Sequence, residues 1–300
     1  MAFKAPVESY KGRVAEVTVG TGKRTIKIGG ENVLAFNQAF DEGQFPNPPK
    51  IALEVWDMEP QNWAPWVLEP YKDVAANPVA WAKRCAELGA DLIYLYLISA
   101  DPNEKDTPPE QTAELVKRVY EAVSLPMIVY TTGNETKDPA VLTKVAEALK
   151  GENLLLGPLI KDDFEPIALA AKEHGHCVVT QAPVDINLQK ELNVKVSRIL
   201  PPERIVLDTL ASALGYGIEY CFSVMERTKH VGIMFQDAMM QMPAIANCAG
   251  EVWKNKEPKE REELGIAWEE VTAITYLMAG ADLVVMRHPE VFKLVKGMIG

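Results

Sequence analysis

Polar side chains that directly follow short apolar runs are the residues of this sequence that could do chemistry. In the segment RIVLDTLASALGYGIEY, Asp208 ends an apolar run and is followed by Thr209 and then by a Gly-Tyr-Gly turn. An aspartate in this position could be a catalytic acid, a metal ligand or a helix cap. The choice between a functional site and a local turn depends on how many other strands end in the same way.

The predicted strand ends are rich in amides, hydroxyls and carboxylates and poor in catalytic bases. Such groups form a mixed set of hydrogen-bond donors and acceptors, which suits the polar edge of a ligand. We expect the binding residues to be Asp57, Thr131, Thr132, Gln181, Asp208, Thr209, Gln236 and Asp237. A structural role as a cap or turn remains the alternative for each of them. The set predicts a binding site and no catalytic residue.

Three kinds of catalytic site find little support in the sequence. A metal site needs a cluster of histidine, cysteine and carboxylate ligands, but His174 and His176 precede a predicted strand and so belong to its other end. Lys161 is the lysine nearest a strand end, and its acidic neighbours favour the charged form, which is unsuited to a Schiff base. The turns after the last two predicted strands lack the glycines of a phosphate site. We therefore expect no metal in this chain.

Alternating strands and helices must position these groups. From residue 50 onward short, almost continuously apolar strands alternate with amphipathic helices, which indicates a parallel sheet covered on both faces. The predicted strands are 51–58, 91–98, 127–132, 154–160, 177–182, 205–210, 231–236 and 282–288. Eight such units predict a TIM (β/α)8 barrel, with a doubly wound open sheet as the alternative. In a barrel the polar strand ends would meet on one face.

The first part of the chain has a different pattern. Apolar and polar residues alternate on both sides of Gly20-Thr21-Gly22, which predicts a β-hairpin, and a proline-rich lead-in follows. We predict an N-terminal β-hairpin extension over residues 1–49, closing one end of a barrel domain over residues 50–300.

Charge and cysteine content narrow the class of protein. The formal net charge of −11 argues against nucleic acid or an anionic membrane as the main partner. No apolar run is long enough to span a membrane, so we expect a cytoplasmic protein. The four cysteines are scattered, without a CxxC pair or a disulfide framework. Any iron–sulfur cluster would have to lie on another chain.

Two segments are rich in large apolar side chains. One is WDMEPQNWAPWVLEPY, with three tryptophans, and the other is DAMMQMPAI, with several methionines. Core packing explains part of this composition. A rim of tryptophan, methionine and proline around a polar mouth would also suit an interface with a large, flat partner.

Several segments resemble the small subunit of the corrinoid iron–sulfur protein, which is also the delta subunit of the acetyl-CoA decarbonylase/synthase complex. The likeness extends over essentially the whole chain and is carried by ALEVWDMEPQNWAPWVLEPY, VYTTGN, TQAPVDINLQKELN and DTLASALGYGIEYCFSVMER. The resemblance implies a non-catalytic barrel that forms a heterodimer with a large subunit. That subunit carries the iron–sulfur cluster and holds the cobalamin, which the barrel face would cover at the interface.

The resemblance also implies a place in methyl transfer. Further partners would be the methyltetrahydrofolate methyltransferase that donates the methyl group and the acetyl-CoA synthase that receives it, in the reductive acetyl-CoA (Wood–Ljungdahl) pathway. The eight binding residues would then contact the corrinoid. The alternative is a stand-alone pterin-binding methyltransferase barrel, in which Asp57, Asp101 and Asn134 would bind the pterin.

Overall fold

Eight parallel strands form a closed barrel in the structure, a computed structural model that describes residues 8–38 and 43–299. The strands are β1 (Val17–Val19), β2 (Ile26–Ile28), β3 (Lys50–Trp56), β4 (Leu92–Tyr96), β5 (Met127–Tyr130), β6 (Leu155–Leu159), β7 (Cys177–Gln181), β8 (Ile205–Asp208), β9 (Ala244–Asn247) and β10 (Leu283–Met286). Strands β3 to β10 pair in sequence order, and β10 closes the ring on β3. The predicted TIM barrel is confirmed, and the open sheet is wrong.

Helices connect the barrel strands, and their ends follow the usual capping chemistry. They are α1 (Ala35–Gln38), α2 (Pro65–Leu68), α3 (Pro78–Glu87), α4 (Pro109–Ala122), α5 (Asp138–Ala148), α6 (Phe164–His174), α7 (Ile186–Val196), α8 (Ile218–Ile233), α9 (Cys248–Trp253), α10 (Glu262–Ala279) and α11 (Pro289–Ile299). Asn77 and Asp185 accept hydrogen bonds from the first backbone N–H groups of α3 and α7. Gly175, at a φ of 83°, ends α6 in the left-handed conformation that glycine tolerates best.

Alternation along each strand divides the core into two layers. On β3, Ile51, Leu53 and Val55 face the helices, whereas Ala52 belongs to the cluster inside the barrel. Because successive strand residues point to opposite faces, Glu54 follows Ala52 on the inward side. The same alternation on the other strands points further side chains into the barrel near the carboxyl ends of the strands. These side chains form the site described below.

The amino-terminal hairpin closes the end of the barrel where the strands begin. Val17, Val19 and Ile28 pack into the cluster inside the barrel, and Asn153, two residues before β6, forms hydrogen bonds with the backbone of Thr18 in β1 and of Gly20 just after it. The antiparallel hairpin is confirmed. Residues 1–7 and 39–42 of the predicted extension lie outside the described residues, and the domain boundary at residue 49 stays a prediction.

One predicted strand is wrong. Residues 231–236 form the end of α8 and the turn after it, and the seventh barrel strand is β9. A short apolar run is compatible with a buried strand or with the last turn of a helix, and here it continues the buried face of α8. Gln236 and Asp237 therefore precede a strand, on the side where the strands begin. The methionine-rich segment lies there too, with Met240 and Met242 buried, so its predicted place on the rim is wrong.

Candidate functional site

A cavity of about 570 Å³ opens at the carboxyl ends of the barrel strands. The floor of the cavity is formed by side chains from seven of the strands, just beyond the apolar interior of the barrel, and the loops and helices that follow the strands supply the rest of the lining. The strand residues in this wall are Glu54, Trp56, Tyr94, Tyr96, Tyr130, Pro158, Gln181, Asp208 and Asn247, joined by Arg287 just after β10. The volume is in the range of small-molecule sites, and the wall is polar on its strand side.

Asp208 is the centre of a hydrogen-bond network in this wall. Its Oδ2 accepts from the hydroxyl of Tyr130 at 2.5 Å and from Nε2 of Gln181 at 2.9 Å, and its Oδ1 accepts from the backbone N–H of Leu210 at 2.9 Å. Burial raises the pKa of the Asp208 carboxyl, and the three donors oppose that shift. A carboxylate engaged by three donors can hold the wall in place but is poorly placed to act as a free base.

A buried ion pair lies in the same wall. Nε of Arg287 donates to Oε2 of Glu54 at 2.6 Å, and these two side chains are only 4% and 1% exposed. The guanidinium carbon lies 4.0 Å from the ring centre of Trp63 and 5.4 Å from that of Trp56. Stacking on indole rings and the carboxylate together fix the plane of the guanidinium.

Hydrogen bonds with Glu269 and Tyr71 fix the backbone at Arg287. The two carboxylate oxygens of Glu269 accept from the backbone N–H groups of Arg287 and His288 at 2.6 and 3.1 Å. The hydroxyl of Tyr71 donates to the carbonyl of Arg287 at 2.8 Å. Burial raises the pKa of Glu269 to about 7. These contacts leave the arginine little freedom to move.

The structure brings together half of the residues predicted to bind a ligand. Thr131, Thr132, Gln181 and Asp208 line the cavity. Their common position, at or just after the carboxyl end of a strand, is the feature by which the sequence could identify them. Thr132 also donates to a carboxylate oxygen of Asp101 at 2.7 Å, so its hydroxyl is partly engaged.

The other predicted residues lie elsewhere. Asp57 is buried behind the cavity wall, where its carboxylate accepts from the backbone N–H and the hydroxyl of Ser99 at 2.9 and 2.5 Å, and burial raises its pKa. Thr209 is buried and does not line the cavity. Gln236 and Asp237 lie on the opposite side of the barrel, because the strand that was expected to precede them is a helix end.

Sequence reasoning missed three important members of the cavity wall. Asn247 was missed because its strand was placed incorrectly, and it donates to the hydroxyl of Tyr94 at 3.1 Å. Glu54 lies within an otherwise apolar strand, and an isolated charge on the inward side was the signal that could have identified it. Arg287 lies at the end of the predicted strand 282–288 but was not among the residues expected to bind a ligand.

Other reactive side chains are buried away from the cavity. All four cysteines are free and buried, and burial raises the pKa of the Cys177 thiol to about 11. His176 lies at the amino-terminal side, where burial lowers its pKa to about 4 and both ring nitrogens contact backbone groups. Within residues 8–38 and 43–299, no three histidine, cysteine or carboxylate side chains form a group that could hold a metal ion. None of the described helices combines the length and apolar character needed to cross a membrane.

Comparison with known proteins identifies relatives along the whole chain. Residues 16–298 match the family described as CO dehydrogenase/acetyl-CoA synthase delta subunit. The acetyl-CoA decarbonylase/synthase complex subunit delta of Archaeoglobus fulgidus is 39% identical over 98% of this chain and 69% of its own length. The protein of the same name from Methanopyrus kandleri is 38% identical over 95% of this chain and 74% of its own length.

Solved structures with a similar fold are dihydropteroate synthases. The enzyme from Coxiella burnetii, solved in complex with pteroic acid, has a TM-score of 0.58 at 12% identity, with 95% of this chain and 97% of that chain covered. The enzyme from Thermus thermophilus has a TM-score of 0.56 at 16% identity, with 94% and 98% covered. At this level of identity the likeness extends to the barrel fold alone.

Proposed function

Because this chain belongs to the CO dehydrogenase/acetyl-CoA synthase delta subunit family, we propose that its barrel covers a corrinoid carried by a larger partner subunit. The chain would be the small subunit of a corrinoid iron–sulfur protein, and the iron–sulfur cluster would belong to the large subunit only. When bound, the corrinoid supplies the cobalt centre that carries the methyl group. The barrel would position this group and exclude water from it.

The partners follow from this role. The methyl group would come from methyltetrahydrofolate through a methyltransferase and would pass to acetyl-CoA synthase. Relatives named as subunits of the acetyl-CoA decarbonylase/synthase complex support an assembly of this kind. All of these partners would need access to one face of the barrel in turn.

The observation that carries the proposal is the polar cavity at the carboxyl ends of the strands. A corrinoid has a broad, largely apolar ring with primary amides around its edge. Trp56 and Trp63 provide apolar surface at the cavity, and Gln181 and the hydroxyls of Thr131 and Tyr96 provide donors and acceptors. These side chains fit the chemistry of such a ligand.

The same wall supports a role without catalysis. Of the carboxylates that line the cavity, the two on strands are Asp208, which is engaged by hydrogen-bond donors, and Glu54, which is engaged by a guanidinium; the other three, on the loops and helix around the mouth, are Glu59, Glu104 and Glu251. A general base must be able to reach a proton on the substrate, and the three donors on Asp208 leave that carboxylate poorly placed for it. The barrel would therefore act by binding and orientation.

A stand-alone pterin-binding methyltransferase is the competing function, and the structure does not favour it. Its expected ligands were Asp57, Asp101 and Asn134, and none of them lines the cavity. Asp101 accepts hydrogen bonds from two neighbouring side chains and the backbone of its own turn, and Asn134 accepts from two backbone N–H groups that follow it. Asp57 is likewise engaged by Ser99, so hydrogen bonds within the loops after the strands account for all three residues.

A titration with the large subunit tests the proposal. The wild-type chain should bind the corrinoid-loaded large subunit at least about tenfold more tightly than the corrinoid-free one, because the corrinoid would form part of the interface. Isothermal titration calorimetry measures both affinities. Equal affinities would refute the covering role. Binding of methyltetrahydrofolate by the chain alone would instead support the methyltransferase.

A further inference from the structure

The buried pair of Glu54 and Arg287 leaves some of its hydrogen-bonding groups unused. The contact joins a single atom of each side chain, Oε2 of Glu54 and Nε of Arg287. In the part of the chain that the structure describes, the pair makes no side-chain hydrogen bond other than this one. Neither Oε1 of Glu54 nor either terminal nitrogen of Arg287 is among the fully enclosed polar atoms, and both side chains line the cavity.

Unused groups of a buried charged pair are unusual, because burial of such groups without partners destabilises the fold. A pair with only a structural role is expected to be bidentate, with both carboxylate oxygens engaged by the guanidinium. Here a single hydrogen bond joins the pair, and both the guanidinium and the carboxylate belong to side chains that line the cavity. This arrangement indicates a ligand that completes the hydrogen bonds.

Both side chains are fixed before any ligand arrives. Arg287 is held by the stacking on Trp63 and by the contacts of Glu269 with its backbone. Glu54 lies within β3, where it is paired with Tyr94 of β4. A ligand would therefore meet groups that are already oriented, which lowers the entropy lost on binding.

The chemistry of the pair selects the class of ligand. A carboxylate would be attracted by Arg287 but repelled by Glu54. An ammonium group would be attracted by Glu54 but repelled by Arg287. A primary amide has a carbonyl oxygen that accepts from the guanidinium and an NH2 group that donates to the carboxylate, so it satisfies both without introducing charge. The neutral amide is the group that the neutral pair can bind best.

We propose that Glu54 and Arg287 form a binding subsite for a primary amide, which would be one of the amide side groups at the edge of the corrinoid. This inference rests on the proposed function, since that function supplies the amide. It assigns the pair a role in positioning the ring over the cavity.

The first experiment replaces both members of the pair together. Removing Arg287 alone would leave Glu54 as an unpaired buried charge, whereas the double variant Glu54→Met/Arg287→Met leaves none and should fold. We expect it to bind the corrinoid-loaded large subunit about tenfold more weakly than the wild-type chain, and the corrinoid-free subunit equally well. Arg287→Lys keeps the charge opposite Glu54 but loses the planar pair of donors, and should show the same selective loss.

The second experiment changes the ligand. The large subunit is loaded in turn with corrinoids in which a single edge amide has been hydrolysed to a carboxylate. One of these should weaken binding of the wild-type chain about tenfold and leave binding of the double variant unchanged, because the carboxylate would meet Glu54. Lys144→Ala, on the exposed surface of α5, is the matched control and should behave as wild type throughout.

Two results would overturn the inference. Unchanged affinity of the double variant and of Arg287→Lys for the loaded subunit would make the pair a structural one. Equal binding of every hydrolysed corrinoid by the wild-type chain would mean that the pair does not bind an amide. Failure of the proposed function looks different, because the wild-type chain would then bind the loaded and the corrinoid-free subunit with the same affinity.

Discussion

Replacing Lys229 with methionine should strongly destabilise the barrel. Nζ of Lys229 donates to Glu31 in the amino-terminal extension and to Asp282 at the start of β10, at 2.6 Å in both cases. The three side chains are 4%, 2% and 3% exposed, so solvent can compensate little of the lost charge. Breaking a buried pair of this kind costs about 3–5 kcal/mol, because it leaves uncompensated buried charge.

The loss should depend on pH. Burial, aided by the nearby Glu31, raises the pKa of Asp282 to about 7 in the native protein, and removing Lys229 would raise it further. A carboxyl with a raised native pKa binds its proton more tightly in the folded state than in the unfolded state. Between the native pKa of Asp282 in wild type and its higher native pKa in the variant, acidification therefore stabilises the variant relative to wild type by up to about 1.4 kcal/mol per pH unit. Lys229 itself stays charged throughout this range, since its native pKa is raised. The difference between wild type and Lys229→Met should therefore be larger at pH 8 than at pH 6.

Urea unfolding followed by circular dichroism at both pH values measures this difference. Lys144→Met removes an exposed ion pair on α5 and serves as the matched control, with an unfolding free energy expected to equal that of wild type. Replacing the whole cluster with Glu31→Gln, Lys229→Met and Asp282→Asn should recover much of the lost stability. A loss below about 1 kcal/mol for Lys229→Met at pH 8, or a loss that grows on acidification, would contradict the reasoning.

Three further outcomes are expected. Asp208→Asn and Asn247→Ala should each weaken the affinity for the corrinoid-loaded partner, measured by calorimetry, about tenfold. Asp237→Ala, on the opposite side of the barrel, should leave this affinity unchanged. The same loss of affinity in all three variants would place the site elsewhere. The raised native pKa of Glu269 means that stability falls as the pH rises from about 4.5 to 7, so thermal melts of Glu269→Gln should show a flatter pH profile than wild type. Gly157→Ala should destabilise by about 1–3 kcal/mol in urea unfolding, because the added Cβ would lie 2.8 Å from a valine of β7; a neutral result would show that the neighbouring strands can shift.

The pattern of the sequence carried enough information to predict the barrel and the face on which a site would lie. Apolar strands separated by amphipathic helices admit few other folds, and the carboxyl ends of parallel strands necessarily share one end of the sheet. Gln181 and Asp208 could be placed on that face because each ends a strand rich in valine, isoleucine or leucine. The strand ending in Asn247 could not be predicted, because half of it is alanine, a weak strand former, and a more apolar run precedes it at the end of α8.

The sequence by itself determined seven of the eight barrel strands and the helices between them, since the pattern of apolar and polar residues is a local property of the chain. Only the tertiary structure decided that Glu54 and Arg287 meet, because closing the ring brings β10 beside β3 across 233 positions of sequence. Only it showed, likewise, that Asp57 does not line the cavity and instead accepts hydrogen bonds from Ser99, which follows the neighbouring strand β4. A contact between distant residues depends on the register and closure of the whole sheet, and local patterns do not contain that information.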